Sequence, residues 1–233
     1  GKDYFIMELE KAGVPCYDYG PAGRTPRQTK RSSIALNDAI LPWITFKNPE
    51  FTRVLEWFKA QSITETKGVF DDVECNVNGF TFVFGLGGIH GSIESETIES
   101  NDDFLIVDLD VASYYPNLAI TNRFHPAHLG EGFCDIYRDL FEQRKTHAKG
   151  SAGNAMLKLA LNGVYGDSNN RFSVFYDPMF TMSTTINGQL LLCMLAESLL
   201  KINGLRLIQV NTDGLTVMVP RSQRDSVDVT HGM

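Results

Sequence analysis

The 233 residues contain no run of 18 consecutive apolar side chains, so no segment is expected to span a membrane. No charged stretch leading into an apolar one follows Gly1, which leaves no expected secretory signal. A chain opening on glycine reads as a mature form or an excised fragment, and a fragment is the expectation here. Cysteine is sparse: Cys16, Cys75, Cys134 and Cys193 are far apart and form no C-x-x-C pair. That argues against zinc ribbons and dense disulfide scaffolds, and fits free thiols in a reducing cytoplasm. His125 and His128 lie three apart, but no cysteine or carboxylate pattern completes a zinc site around them. Basic residues are missing altogether from 68–112, which carries ten Asp and Glu. The net charge of −7 is therefore local, and the rest of the chain has an excess of three cations. Such acidity suits a site for divalent cations or a solvated acidic surface, and charge alone does not choose between them.

Residues 1–45 read as mixed structure, including the basic, turn-rich Thr25-Pro26-Arg27-Gln28-Thr29-Lys30-Arg31. This stretch is either a surface loop or a phosphate-contacting one. Phe51, Val54, Leu55 and Phe58 have helical spacing within a predicted helix over 49–61. Alternation over 69–86, with Asn78-Gly79 in the middle, predicts a hairpin, followed by the glycine-rich loop 85–91. That loop opens no apolar helix, which excludes a dinucleotide-binding turn. Residues 104–111 are the strongest strand. Leu105, Val107, Leu109 and Val111 take one face; Phe104, Ile106, Asp108 and Asp110 take the other. Helices are predicted over 133–148, over 151–165 with Ser151 as N-cap, and over 184–202. A strand–turn–strand follows over 205–219 around Asn211-Thr212-Asp213-Gly214. The polar tail after Pro220 reads as a cut or frayed end. No internal repeat or low-complexity tract is present.

Three segments carry chemistry. A strand ends in Asp110, a hairpin tip carries Asp213, and a helix presents Lys158, Asn162 and Tyr165 at i, i+4 and i+7, on one face. A carboxylate ending an apolar strand is costly to bury alone. Two that converge raise each other's pKa unless a cation lies between them, and magnesium prefers such oxygen ligands while keeping positions open for water and phosphate. Arg144, Lys145 and Lys149 are expected at the end of the preceding helix, where Arg144 and Lys158 could clamp a triphosphate. Gly163 and Gly166 would let a nucleotide approach the backbone. Each piece also has an ordinary structural reading: a strand-end acid, a good turn sequence, a solvated lysine, core tyrosines.

Together these residues resemble the polymerase motifs of family B DNA polymerases, particularly those of bacteriophages. The family's D-x-x-S-L-Y-P compares with Asp110-x-x-Ser113-Tyr114-Tyr115-Pro116, and its K-x-x-x-N-S-x-Y-G with Lys158-x-x-x-Asn162-Gly163-x-Tyr165-Gly166. Its D-T-D-S compares with Asn211-Thr212-Asp213-Gly214. Gln143-Arg144-Lys145 resembles the fingers helix, and the similarity spans about residues 80–220. The resemblance implies a DNA-directed DNA polymerase in viral DNA replication, adding deoxynucleotides to a primer 3′-hydroxyl with two Mg2+ ions. Asp110 and Asp213 would be catalytic metal ligands, with the Val111 carbonyl as a further ligand. Ser113, Tyr114 and Tyr115 would hold the triphosphate through backbone amides, and the Tyr115 ring would exclude a 2′-hydroxyl. Arg144, Lys149 and Lys158 would bind phosphates, and Asn162 would support the nucleotide pocket. Tyr165 would read the minor groove, with Gly166 and Thr212 also facing DNA. Gly87 and Gly88 lie where protein-primed relatives bind template through a Y-x-G-G loop.

The implied fold is α+β: a polymerase palm with an antiparallel sheet flanked by helices, plus short helical-hairpin fingers. The expected division is an N-terminal helical and loop segment at 1–67, palm at 68–128, fingers at 129–170 and palm again at 171–233, truncated before a thumb. Partners would be primer–template DNA and deoxynucleoside triphosphates, with no membrane, in the cytoplasm (the host's, for a viral protein). Exonuclease and thumb portions would lie outside this chain. Asn211 and Gly214 depart from the family's acid and serine, removing a charge beside the metals and tightening the turn. Two other readings stand: a non-catalytic primer–template binding module, and a metal-dependent glycosyltransferase using Asp108-Leu109-Asp110.

Overall fold

The computed structural model describes residues 1–231. In chain order these form α1 (Lys2–Lys11), β1 (Tyr17–Gly20), β2 (Gly23–Pro26), β3 (Ile34–Ala35), α2 (Leu36–Ala39), α3 (Pro49–Lys59), β4 (Ser62–Ile63), β5 (Glu74–Val77), β6 (Phe80–Val83) and β7 (His90–Ser92). Then follow β8 (Phe104–Asp110), α4 (Tyr114–Asn122), α5 (Gly132–Lys145), α6 (Ala152–Ser168), α7 (Pro178–Leu199), β9 (Arg206–Asn211), β10 (Gly214–Pro220) and α8 (Arg224–His231). The fold is α+β, with a six-stranded antiparallel sheet of order β5-β6-β7-β9-β10-β8 and two small two-stranded sheets. The chain divides into two compact units. One comprises Gly1–Ile34, Thr64–Thr66 and Ser113–Thr184; the other comprises Ala35–Ile63, Lys67–Ala112 and the chain from Thr185 onward.

The first unit is helical, built from α1, α4, α5 and α6 around an aromatic core. Phe5 of α1 lies 5.4 Å from Phe133, 5.3 Å from Tyr137 and 5.4 Å from Phe175, ring centre to ring centre. The Tyr137 hydroxyl is buried and donates to the Leu161 carbonyl at 2.6 Å, joining α5 to α6. Ser151 caps α6 by accepting from the Asn154 amide at 3.2 Å, as its position predicts. α5 ends at Lys145, so Lys149 falls in the exposed turn between the helices and not on a helix.

The basic stretch 25–31 has a structural use. Arg31 grips the buried Asp177 at 2.7 and 2.9 Å, and Asp177 also accepts from the amides of Met179 and Ala127. This cap explains why α7 starts six residues earlier than its apolar run suggests: Asp177-Pro178 is a strong helix start. His128 is likewise structural. Its ring pairs with the Thr29 hydroxyl at 2.8 Å and the Val174 carbonyl at 2.6 Å. Burial holds its pKa below the usual 6.5, outweighing the Val174 carbonyl and Asp177. The unfolded chain therefore protonates first, and this contribution to stability is present above 6.5 and lost as pH falls from there through the folded pKa. Urea midpoints should drop between about pH 8 and about pH 5.5 in the native chain, and drop less in His128→Gln.

The second unit carries the six-stranded sheet. Asn48 caps α3, accepting from the amides of Glu50 and Phe51, with Pro49 at the first turn. The buried face of α3 meets the sheet through Phe51–Phe82 (5.1 Å) and Phe58–Phe84 (5.7 Å). Asn78 and Gly79 both have positive φ, as the two-residue turn between β5 and β6 requires. α7 is long and apolar enough by composition to cross a membrane, yet 78% of that stretch is buried inside the protein. Its buried Thr185, Asn187 and Gln189 bond to neighbouring loops, as in a core helix. Beyond Pro220 a short turn leads into α8, which buries Val227 and pairs Arg224 with Asp228 one turn on.

Candidate active-site residues

The acidic residues lie at one end of β8 and β10 in the second unit. Val107 and Leu109 are buried while Asp108 and Asp110 are exposed, the alternation the sequence predicts. Asp110 pairs with Gly214 across the ladder, and the Val111 amide donates to the Asp213 carbonyl at 2.9 Å. Asp110 ends β8 and Asp213 lies in the turn just before β10, so these acids, more than a hundred positions apart in sequence, sit one step apart across the ladder, both exposed. Asp108 is engaged sideways, accepting from the Thr216 hydroxyl at 2.6 Å.

Gly214 follows from this geometry. A Cβ there would run into Asp110 Oδ1 and lie 2.7 Å from the Leu109 carbonyl oxygen. The glycine is required by the close approach of β8, rather than by the turn itself. The two-residue tip carries the backbone strain instead. Thr212 has φ 42°, unusual for a β-branched residue, and the Asp213 amide folds back onto the Asn211 carbonyl.

The glycine-rich loop holds this tip in place. The Thr212 amide donates to the Ile89 carbonyl at 2.8 Å, and its hydroxyl lies 3.3 Å from His90 Nε2. Gly88, at φ 145°, runs so close beneath Thr212 that a Cβ would come within 2.8 Å of its methyl group. The loop is anchored in turn by α7: Gln189 Oε1 accepts from the Gly85 amide and the Thr185 hydroxyl donates to the Leu86 carbonyl, each at 2.9 Å. Gly88 and Thr212 therefore lie beside Asp213, while Gly87 belongs to the same loop. Sequence reasoning missed Thr185, Gln189 and His90. Two polar residues four apart in an apolar helix were the available signal for the first two.

The cationic residues belong to the first unit. Ser113, in the left-handed region at φ 47°, turns the chain into α4. Its hydroxyl accepts from Arg144 Nη1 at 3.1 Å, while Arg144 Nε is closed off from solvent with no partner. An enclosed N–H of this kind calls for an acceptor. Tyr114 is buried; Tyr115 is half-buried, with its ring centre 4.6 Å from that of Tyr165. On α6, Leu157, Leu161 and Val164 are buried, whereas Lys158 and Asn162 are exposed and Tyr165 half-buried. Asn154, one turn before Lys158, touches the Arg144 carbonyl at 3.4 Å. A Cβ on Gly163 or Gly166 would meet nothing within 4 Å, so packing within the protein does not account for either glycine.

Two exposed carboxylates at adjoining positions offer oxygen atoms of the kind magnesium takes. Among the described residues no group of three or more His, Cys, Asp or Glu could hold a metal. A scan against protein-family models finds no match, and a search of curated proteins finds no relative.

Proposed function

We propose that this chain is the palm and fingers portion of a DNA-directed DNA polymerase, of the kind that replicates phage genomes. The observation that carries the reading is the register of β8 and β10. Acids from the first and third motifs, remote in sequence, become neighbours at one end of a sheet. The lysine–asparagine–tyrosine motif between them lies along one face of α6.

In this reading Asp110 and Asp213 hold two magnesium ions, with the Val111 carbonyl as a further ligand. Magnesium bound there would activate the primer 3′-hydroxyl and stabilise the leaving pyrophosphate. Arg144 and Lys158 take the triphosphate, Arg144 exchanging its serine contact for phosphate oxygens, and Lys149 adds charge from its turn. Tyr115 and Tyr165, already in contact, lie against the sugar and the nascent base pair. Rate then comes from positioning and charge neutralisation. Exonuclease and thumb functions belong to other parts of the polymerase.

The test is extension of a labelled primer on a template with magnesium and deoxynucleoside triphosphates. Template-directed extension supports the reading. Duplex binding without extension favours the non-catalytic module, for which Asn211 in place of an acid and the acidic net charge speak. Hydrolysis of a nucleotide-sugar would favour a glycosyltransferase, which the engagement of Asp108 by Thr216 argues against.

A further inference from the structure

The most exposed aromatic rings of the first unit lie away from the polymerase motifs, on and beside the β1–β2 hairpin. The register pairs Tyr19 with Arg24 and Tyr17 with Pro26, so Tyr17, Tyr19 and Arg24 share one face; Asp18 and Thr25 share the other. Tyr19 is 74% exposed. The Arg24 guanidinium sits 4.4 Å over the Tyr17 ring and, among the described residues, forms no ion pair. Asp18, on the opposite face, is occupied by Arg27 at 2.9 Å.

The chain leaving the hairpin builds a second exposed ring into the same neighbourhood. The Gln28 side chain donates to the carbonyls of Arg171 (2.8 Å) and Ser173 (2.9 Å), clasping the residue between them. That residue is Phe172, 89% exposed, its amide held by Asn170 at 3.0 Å. The loop is therefore preformed while the ring has no protein to pack on. Arg27 and Arg31 are taken up by Asp18 and Asp177, whereas Arg24, Lys30 and Arg171 form no ion pair among the described residues. Between Asp18 and Asp38 the sequence carries Arg24, Arg27, Lys30 and Arg31 and no acid, and Arg171 adds another exposed cation.

Flat rings with free faces beside uncompensated arginines bind unpaired bases and the phosphates between them. A duplex keeps its bases stacked away from such rings. We propose that Tyr19, Arg24 and Phe172 form a contact for single-stranded DNA, separate from the metal-dependent site. The strand stacks bases on the two rings and lays phosphates along Arg24, Lys30 and Arg171. Only the choice of DNA rests on the polymerase reading; strand binding requires neither Asp110 nor Asp213.

The experiment is fluorescence anisotropy of a labelled oligo(dT) of about 20 nucleotides, a length that covers more than one stacking site. It uses the full chain in EDTA, so that no divalent cation contributes. Tyr19→Ala and Phe172→Ala should each weaken binding about tenfold. Arg24→Ala should weaken it and lower the salt slope by about one. Tyr19→Phe should retain binding, and Trp43→Ala, an exposed ring of the second unit, should leave it unchanged. Thermal midpoints of all variants should match the native chain. Equal binding by all variants overturns the proposal, as does tighter binding of oligo(U) through the same residues, or self-association through the hairpin with no strand bound. Because the measurement is metal-free, its failure leaves primer extension untouched, and a failed extension assay leaves this contact standing.

Discussion

Asp213→Asn is expected to lower magnesium-dependent primer extension on the order of a thousandfold, with Asp110→Asn doing the same. Losing one precisely placed group opposite developing charge costs hundreds- to thousandfold in enzymes that work by positioned electrostatics. In the proposed function the two acids act on shared cations, so the double variant should be little worse than either single one, as for residues that work as a unit. A purely structural role predicts another pattern. Both carboxylates are exposed, so removing either charge should leave the unfolding midpoint without magnesium unchanged. Magnesium should raise the melting temperature of the native chain and fail to raise that of the variants. A native chain insensitive to magnesium by this measure, or an Asp213→Asn variant that extends primers normally, would remove the basis for the proposed function.

Gly214→Ala is expected to destabilise the second unit by about 1–3 kcal/mol, the usual cost of forcing a methyl group into packed surroundings, and to cut activity with it. The added carbon meets the Leu109 carbonyl oxygen and the Asp110 carboxylate, so the strands must part or the carboxylate must turn away. The comparison that isolates the cause is Gly214→Ser, which introduces the residue found in the motif that this turn resembles. It should lower both stability and extension, since the obstruction is steric and a serine is larger still. Urea unfolding read beside primer extension checks both; a Gly214→Ser chain as stable as the native one would show that the ladder has room.

What was legible in the sequence was local. Asn78-Gly79 announced its hairpin because both residues tolerate positive φ. Alternation from Phe104 to Asp110 gave both the strand and its wet face, and Ser151 and the apolar stripe of α3 marked helices. What escaped depends on distant partners. α1 has only three buried residues, Phe5, Ile6 and Leu9, whose reason for burial comes from α5 and the segment near Phe175. Nothing near Arg31 or His128 in the sequence announced the partners that hold them, Asp177 for the first and Thr29 and Val174 for the second. α8 could not be read from a polar tail whose buried contact is a single valine.

At the candidate site, Asp110 and Asp213 were visible as residues, but their adjacency is a matter of strand register, which no local pattern encodes. The support beneath them, from Gln189 through the glycine loop to Thr212, joins residues about a hundred positions apart by side-chain-to-backbone hydrogen bonds. Such bonds leave no periodic trace in composition.

The packing of Phe5 against Phe133, Tyr137 and Phe175 bears on how the molecule is made. On the ribosome α1 emerges well ahead of its partners, which follow only after more than a hundred further residues have been synthesised. Until then its aromatic face is bare, and closing so large a loop is slow. Birth of the first unit is thus a late, concerted event, and a nascent chain halted before α6 would be a natural client for chaperones.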